Sequence, residues 1–317
     1  IVHNVFGSPE PILMNPDLLS PFIQHLQEPL IKSAGLNVAV YRLDLAHPDY
    51  SGNKYYKLKG LAQRMLEAKQ NTVVSFGGRW SNHLLALSQY GQDHGFNTVA
   101  VVRDVATAGA TPLLRQCETN GMTIKYVNAA TYRERSSSVE QLLAALGLSG
   151  GVCVLPEGGS SHEAISGCGE IAAEITAAVG KCDHVVVPVG TGATMAGIVC
   201  RASSHCVVHG VAVTKKFAEQ ELLVRNAVAD IRSPAHWTIE RLPAFGAYGK
   251  LRPPLIEFIH RFEQDHGIPL DPNYTAKSFY WFYQALQHGK FCSGDSVVLL
   301  HTGGLMGRQG YPSVFPR

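Results

Sequence analysis

The sequence predicts an α/β protein in which parallel sheets carry helices on both faces. Short apolar segments of strand type alternate along the chain with helical segments of about ten or more residues, the order typical of a doubly wound parallel sheet. Glycine-rich turns join a strand to a helix at residues 77–78 and 190–192. The 317 residues exceed the length of a common single domain, so two domains or one large α/β unit are expected.

The composition is that of an ordinary globular protein without a marked charge. Hydrophobic residues make up 45% of the chain, charged residues 16%, and the net charge is +2. Nucleic acid and anionic membrane surfaces are therefore not expected as partners, and no apolar run reaches the roughly 18–20 residues of a membrane span. The first thirty residues lack the basic-then-apolar pattern of a signal sequence, and whether residues precede Ile1 stays open.

The cysteines give no sign of a disulfide framework or a metal site. They are seven, an odd number, and no two are spaced as CxxC. This pattern favours reduced thiols in the cytoplasm, and no metal is expected. The cysteines are Cys117, Cys153, Cys168, Cys182, Cys200, Cys206 and Cys292.

The amino-terminal part begins with a Pro-rich arm for which a short helix near residues 18–26 is predicted. Residues 36–43 alternate apolar and polar side chains over part of their length and indicate the first strand. A loop over residues 47–50 follows. Residues 60–68 then carry apolar side chains at helical spacing.

Between that loop and that helix lies the stretch SGNKYYKLKG, residues 51–60. It places Lys54 behind a flexible polar turn at the apparent start of a helix, beside Lys57 and Lys59. The helix dipole and the two neighbouring cations both lower the pKa of Lys54, and a free amine is what a Schiff-base lysine needs. The alternative is a solvated basic turn without chemistry.

A second polar turn follows the strand predicted over residues 72–76. The sequence Gly77-Gly78-Arg79-Trp80-Ser81-Asn82-His83 leads into an apolar helix over residues 84–90. Strand, glycine turn and helix in this order direct polar groups into a cleft at the carboxyl end of a parallel sheet. Alone the turn is a weak signal, because Ser81 could simply cap the helix.

A third turn, Gly190-Thr191-Gly192-Ala193-Thr194, joins the apolar strand at residues 185–189 to another helix. It offers backbone N–H groups, two hydroxyls and a positive helix end to an anion, for which a phosphate is the natural candidate. The glycine spacing fits neither a Walker loop nor a dinucleotide fingerprint.

The remaining elements continue the alternation of strands and helices. Residues 156–161 form a plausible hinge between two halves, with Ser161 as the cap of the next helix. Predicted strands lie at residues 97–103, 122–127, 152–155, 206–213 and 296–300, and predicted helices at residues 110–120, 132–146, 165–179, 217–231 and 255–264.

Together the motifs SGNKYYKLKG and SFGGRWSNH resemble those of the pyridoxal-phosphate enzymes that include D-cysteine desulfhydrase and 1-aminocyclopropane-1-carboxylate deaminase. The resemblance implies two domains with the cofactor cleft between them: a large cofactor-binding domain of residues 1–46 plus 161–317 and a small domain of residues 47–160. It also implies a homodimer. This chain has Trp80 where the family usually has Gln and Ser51 where it has Gly, which puts the identity of the substrate in question.

The same resemblance implies roles for individual residues. Lys54 would form the Schiff base with pyridoxal 5'-phosphate, Asn82 would bond the phenolic oxygen of the cofactor, and Ser81 would face the substrate. Tyr248 and Tyr274 match the tyrosines of the family motifs "YG" and "DP-x-Y". The expected cofactor-binding residues are Lys54, Asn53, Asn82, Gly190, Thr191, Gly192, Ala193, Thr194, Thr275 and Thr302, and the expected catalytic residues are Lys54, Ser81, Tyr274, Tyr248 and Lys57.

Thr275 and Thr302 distinguish the two kinds of enzyme within the resemblance. The cyclopropane deaminases have Glu and Leu at these positions, and the threonines are similar to D-cysteine desulfhydrase. A carboxylate beside the pyridine nitrogen would keep it protonated and strengthen the electron sink, whereas a hydroxyl donates to a neutral nitrogen. Loss of a β-leaving group together with the Cα proton suits the weaker sink.

The expected reaction is therefore α,β-elimination from a small β-substituted amino acid resembling D-cysteine. Lys54, or alternatively Tyr274 or Ser81, takes the Cα proton, and hydrolysis gives pyruvate and ammonia, with hydrogen sulfide from cysteine. Lys57 either assists electrostatically near the substrate or is a helix-surface cation. Alternatives are a 1-aminocyclopropane-1-carboxylate deaminase, a β-replacement synthase and a pyridoxal-phosphate-binding protein without turnover.

Overall fold

A computed structural model of the chain describes residues 22–47, 50, 52–104, 109–134, 138–148, 150–242 and 248–316. Its ten strands are β1 (Ile23–Leu26), β2 (Asn37–Arg42), β3 (Thr72–Gly77), β4 (Asn97–Arg103), β5 (Thr123–Val127), β6 (Val152–Leu155), β7 (His184–Val189), β8 (Val207–Ala212), β9 (His236–Arg241) and β10 (Ser296–His301). Its α-helices are α1 (Pro29–Ser33), α2 (Asn53–Leu58), α3 (Leu61–Glu67), α4 (Asn82–His94), α5 (Pro112–Thr119), α6 (Ala129–Glu134), α7 (Val139–Ala145), α8 (His162–Val179), α9 (Ala193–Arg201), α10 (Phe217–Val228), α11 (Pro253–His266) and α12 (Thr275–Gln287).

The strands form two sheets. Six strands make one sheet in the order β1-β2-β10-β7-β8-β9, and four make the other in the order β5-β4-β3-β6. Every pairing is parallel except that of β1 with β2, so the expectation of wholly parallel sheets needs this correction at one edge strand. The predicted fold class, α/β with two parallel sheets, is confirmed.

Both faces of each sheet are covered by apolar side chains. In β7, Val186 packs into one core and its neighbours Val185 and Val187 into another, because successive side chains of a strand point to opposite faces. In β3, Val73 and Val74 divide in the same way between the two cores of the smaller sheet. Such double coverage explains why these strands read as continuous apolar runs.

Two predicted helices are wrong. Residues 18–21 lie outside the described part, and Ile23–Leu26 is a strand because it pairs with β2, with Ile23 opposite Tyr41 and Leu26 opposite Val38. The single helix predicted over residues 132–146 is instead the two helices α6 and α7. Ser138 precedes α7 with a non-helical φ of −153° and ψ of 56°, and serine favours caps over helix interiors.

Strand β9 and helices α1 and α12 were not predicted. Strand β9 lies at the sheet edge with partly exposed and exposed side chains, which weakens its apolar pattern. Helix α12 is buried almost throughout, so it lacks the polar face that marks an amphipathic helix.

The carboxyl ends of the parallel strands place the polar turns. Strand β3 ends at the turn before α4, β7 ends at the turn before α9, and β10 ends at Thr302-Gly303-Gly304. Open α/β sheets bind ligands in the crevice outside these strand ends. The two sheets thus present their polar turns to one cleft.

Candidate active site

Lys54 is the second residue of α2, and hydrogen bonds attach this helix start to the six-stranded sheet. The Lys54 ammonium donates to Asn53 Oδ1 at 2.7 Å, and Asn53 Nδ2 donates to Thr194 Oγ1 at 2.8 Å. The Asn53 backbone N–H reaches the carbonyl of Thr302 at 3.3 Å. Four of the predicted cofactor-binding residues are therefore linked by hydrogen bonds, all of which involve Asn53.

The electrostatic environment of Lys54 favours a free amine. Burial, and then the charge of Lys57, lower the pKa of Lys54 to about 7. Lys57 is itself buried, which lowers its pKa, and its ammonium donates to the carbonyl of Gly158 at 2.9 Å. Lys57 is thus a cation of the cleft interior and not of the helix surface.

The turn after β7 has the features of an anion site. Gly192 caps α9 with φ of 105°, and Ala193 and Thr194 follow as its first, buried residues. Thr194 Oγ1 accepts from Asn53, so its own hydroxyl proton stays available for a ligand. The side chain of Ser160 donates to Thr191 Oγ1, which joins the predicted hinge to this turn.

The small sheet contributes Ser81 and Asn82. The Ser81 hydroxyl accepts the backbone N–H of Leu84 at 3.3 Å, the helix-capping arrangement, and keeps its own proton for another acceptor. Asn82 Nδ2 donates across the cleft to the carbonyl of Gly304 at 3.0 Å. The turns that follow β3 and β10 therefore meet.

Tyr274 and Tyr248 lie together beside the anion turn. Their rings meet edge to face with centroids 5.5 Å apart, and a Cβ on Gly190 would come within 3.0 Å of the Tyr274 ring. Burial raises the pKa of Tyr274 well above its usual value. Tyr248 is 43% exposed, and the covered part of its ring and the charge of Asp271 raise its pKa. Both phenols are therefore proton donors at neutral pH.

Thr275 carries a hydroxyl that the described part of the chain leaves without a partner. The residue is fully buried at the start of α12, and its Oγ1 makes no hydrogen bond to any described residue. A buried unsatisfied hydroxyl costs about 1–3 kcal/mol. A ligand that accepts a hydrogen bond at this point would remove that cost.

Two further buried residues of the cleft were not predicted. Asp271 accepts the backbone N–H groups of Asn273 and Tyr274 on Oδ1, leaves Oδ2 without a described partner, and has its pKa raised by burial to about 7. His83 is buried next to Asn82. The Asp of "DP-x-Y" and the His after "SN" were visible in the sequence, but only the fold shows that they are buried in the cleft.

Trp80 and Ser51 are the two positions at which this chain differs from the resembled family. Of these two, the structure describes only Trp80. The indole of Trp80 lies 3.3 Å from the position of a Cβ on Gly310 and lines a surface cavity of about 650 Å³ with Pro112 and Arg308. Ser51 lies outside the described residues.

The described residues hold neither a metal cluster nor a membrane-spanning helix. Across the described ranges, no three or more His, Cys, Asp or Glu side chains are grouped so as to hold a metal ion. In the same part of the chain no helix combines the length and apolar character needed to cross a bilayer.

Comparisons with known proteins agree with this arrangement. The family model described as "Pyridoxal-phosphate dependent enzyme" matches residues 24–303. A "Putative 1-aminocyclopropane-1-carboxylate deaminase" of Pyrococcus abyssi (strain GE5 / Orsay) is 28% identical over 299 residues, covering 90% of this chain and 89% of the relative. A "D-cysteine desulfhydrase" of Yersinia pestis (strain Pestoides F) is 25% identical over 295 residues, covering 85% and 87%. The solved structure "Crystal Structure Analysis of the ACC deaminase homologue" matches with a TM-score of 0.80 and 26% identity over 93% of each chain.

Proposed function

The chain belongs to the family of pyridoxal-phosphate dependent enzymes, and we propose that it catalyses α,β-elimination from a small β-substituted amino acid such as D-cysteine. The products would be pyruvate, ammonia and the leaving group, which is hydrogen sulfide when the substrate is cysteine. The relatives named above carry the names of both a desulfhydrase and a cyclopropane deaminase, so the deaminase is the second candidate.

The residues of the cleft fit the cofactor. A lysine with a lowered pKa, an anion turn at a helix start and a buried hydroxyl without a described partner lie near one another. Asn53 bonds Thr194, and Tyr274, the neighbour of Thr275, lies against Gly190. Lys54 would hold the cofactor aldehyde, the turn from Gly190 to Thr194 its phosphate, and Thr275 its ring nitrogen. Asn82 is the proposed donor to the phenolic oxygen.

The unpartnered hydroxyl of Thr275 is the observation that carries the proposal. When bound, pyridoxal phosphate withdraws electrons from the Cα of the attached amino acid. A hydroxyl next to the ring nitrogen leaves that nitrogen neutral, whereas a carboxylate there would keep it charged. The weaker sink favours loss of the β-leaving group as the Cα proton departs, and this supports elimination over opening of a cyclopropane ring.

Lys54 is the best proposed base for the Cα proton. Its pKa of about 7 leaves much of its Nζ unprotonated at neutral pH and still able to receive a proton. Tyr274 has a raised pKa and stays protonated, so it suits hydrogen-bond donation better than proton removal. Ser81 keeps one hydroxyl proton for orienting a substrate carboxylate.

The cellular compartment, the oligomeric state and the partners are also proposals. All seven cysteines belong to the described residues and carry free thiols, which supports a reducing compartment such as the cytoplasm. The resemblance supports a homodimer. Neither nucleic acid nor membrane is proposed as a partner.

A substrate panel with the purified holoenzyme tests the function. We expect keto acid and ammonia from one enantiomer of cysteine, with sulfide released in equal amount, and no product from 1-aminocyclopropane-1-carboxylate. Turnover of the cyclopropane alone would establish the deaminase instead. A new thioether formed with added thiol would indicate β-replacement, and binding of amino acids without ammonia release would indicate a carrier.

A further inference from the structure

His83 is a buried histidine of the cleft that has no role in the proposed chemistry. It is the second residue of α4, next to Asn82, and its side chain is 3% exposed. Its Nε2 lies 2.8 Å from the hydroxyl oxygen of Ser75 in β3. That hydroxyl in turn donates to the carbonyl of Leu155 at 2.8 Å.

These two contacts fix the tautomer of the imidazole. A serine hydroxyl has one proton, and a carbonyl can only accept, so the Ser75 proton lies on the bond to Leu155. His83 Nε2 must therefore carry the proton that it donates to Ser75. Nδ1 is left with a lone pair and, within the described residues, no hydrogen-bond partner.

The Nδ1 lone pair lies deep in the cleft beside the lysines. A Cβ built on Gly159 would be 3.2 Å from Nδ1 and 3.8 Å from Cδ of Lys57. Burial, and then the charges of Lys54 and Lys57, lower the pKa of His83 well below its usual value, so the ring is neutral. An unsatisfied acceptor at this depth is costly unless a ligand brings a donor.

A donor can come with the substrate. Each lysine ammonium has three N–H groups, but Lys54 donates to Asn53 and Lys57 to the carbonyl of Gly158, and neither bonds Nδ1 within the described structure. A phosphate dianion and a carboxylate carry no proton to donate at neutral pH. The α-amino group of an amino acid is engaged by the cofactor, which leaves a thiol or hydroxyl on the β-carbon.

We propose that His83 determines specificity by accepting, on Nδ1, a hydrogen bond from an S–H or O–H group on the β-carbon of the substrate. The substrate class is then amino acids with a protic β-substituent, of the cysteine and serine type. This inference rests on the proposed function and narrows it. Chloroalanine and 1-aminocyclopropane-1-carboxylate offer no such donor.

The bond exists before the leaving group departs, and it weakens as the β-carbon loses its substituent. Removing it should therefore raise KM for a protic substrate more than it lowers kcat. The measured quantity is the ratio of kcat/KM for cysteine to kcat/KM for chloroalanine, using the enantiomer that the enzyme accepts.

The test compares three holoenzymes: wild type, His83→Phe and His83→Asn. Phenylalanine removes the acceptor, whereas the Asn side-chain oxygen can stand near the place of Nδ1. We expect His83→Phe to lower the cysteine to chloroalanine ratio about ten-fold, mainly through KM, and His83→Asn to recover part of it. An unchanged ratio in both variants, with chloroalanine still eliminated, would overturn the role of His83 and leave the proposed function intact. Absence of elimination from either substrate in wild type would overturn the function itself.

A second readout needs no activity and covers the case in which the variants fail to fold. Wild-type protein labelled with ¹⁵N-histidine should show, for His83, a proton on Nε2 and none on Nδ1. A ring protonated on Nδ1 would refute the proposal, because that nitrogen could not accept.

Discussion

At the scale of single residues, the cleft depends on how charge is divided among buried groups. Lys54 and Lys57 face the same interior, and the positive charge of Lys57 lowers the pKa of Lys54 in addition to burial. Both ammonium groups donate to a neutral amide oxygen, but the pKa of Lys57 is lowered by burial alone. Lys54 is therefore the one expected to give up its proton near neutral pH.

Competitive acetylation of the cofactor-free protein measures the pKa of Lys54. Lys54 should react with a midpoint near pH 7, because burial and Lys57 lower its pKa to about that value. Lys57→Met should move the midpoint upward. Lys59→Met is the matched control, since Lys59 is paired with Glu170 and contributes nothing resolved to the shift of Lys54. A wild-type midpoint near that of a free lysine would contradict the assignment.

Asp271 should make stability fall as the pH rises. Burial raises the pKa of this carboxyl from 3.8 to about 7, so its stabilising contribution is complete below pH 3.8 and is lost as the pH rises through 7. Asp271→Asn keeps an acceptor for the two backbone N–H groups and removes the titration. Between pH 4 and pH 8, wild type should therefore lose up to about 4 kcal/mol of unfolding free energy relative to the variant. Urea unfolding measures this, and Asp93→Asn on the exposed face of α4 should behave as wild type.

Prediction from the sequence identified the site residues that belong to recognisable motifs. Lys54, Asn53 and Thr194 were named from the two glycine-containing turns, and their side chains are in contact. Asp271 and His83 were not predicted as site residues, because what matters about each is a buried atom that no described residue bonds. That property depends on which distant segments cover the side chain, and no local spacing encodes it.

At the scale of elements, the start of α2 is set by one close approach. Gly52 has φ of 82°, and a Cβ there would lie 2.1 Å from the carbonyl oxygen of Thr302. Only a residue without a side chain lets the turn before Lys54 rest on the end of β10. The helix start is thereby held at the six-stranded sheet.

Gly52→Ala should therefore lower the unfolding free energy by more than backbone strain alone would. Gly95, the left-handed cap of α4, has φ of 72° and open space where a Cβ would stand, so Gly95→Ala isolates the strain of about 1 kcal/mol. We expect Gly52→Ala to lose clearly more unfolding free energy than Gly95→Ala and to retain less cofactor by absorbance. Equal losses and equal cofactor content in the two variants would show that the approach to Thr302 is unimportant.

Element prediction succeeded where a strand is an apolar run in its own sequence, whatever its place in the sheet. Strand β4, inside the small sheet, and strand β6, at its edge, have the predicted bounds because each consists largely of apolar side chains. Strand β1 was predicted as part of a helix, because its only strand partner is β2 and its own pattern is weak. Pairing between segments far apart decides such cases.

At the scale of the whole molecule, the two edges of the six-stranded sheet differ. The carboxyl ends of the strands carry the cleft, and near their amino ends lies a pair of imidazoles, buried at His209 and partly exposed at His184. His209 Nε2 lies 3.1 Å from His184 Nδ1, and His184 Nε2 lies 3.1 Å from Asp295 Oδ2. Burial, and then the charges of His184 and Lys290, lower the pKa of His209 to about 4. Protonation there is opposed by the fold.

Acid should therefore destabilise the protein through protonation of His209. The contribution of His209 is complete above pH 6.5 and is lost as the pH falls through 4, because the unfolded chain binds the proton more readily. His209→Gln should lose less unfolding free energy than wild type over that interval, by up to about 3 kcal/mol. The exposed His205→Gln serves as control. A variant as acid-sensitive as wild type would place the acid-labile group elsewhere.

Asn53 bonds Thr194 and Thr302 and so holds the neighbouring Lys54 at the six-stranded sheet. This attachment has a consequence for protein engineering. The lysine, the anion turn and Thr275 all belong to the frame of the six-stranded sheet, whereas Ser81, Asn82 and His83 arrive on the turn after β3. A chimaera that exchanges residues 72–155 for the matching part of a relative with Asn at position 82 would thus replace the turn proposed to face the substrate. It would keep the residues proposed to hold the aldehyde, the phosphate and the ring nitrogen of the cofactor. Recombination at these two points would offer a route to new substrates with the proposed cofactor contacts retained.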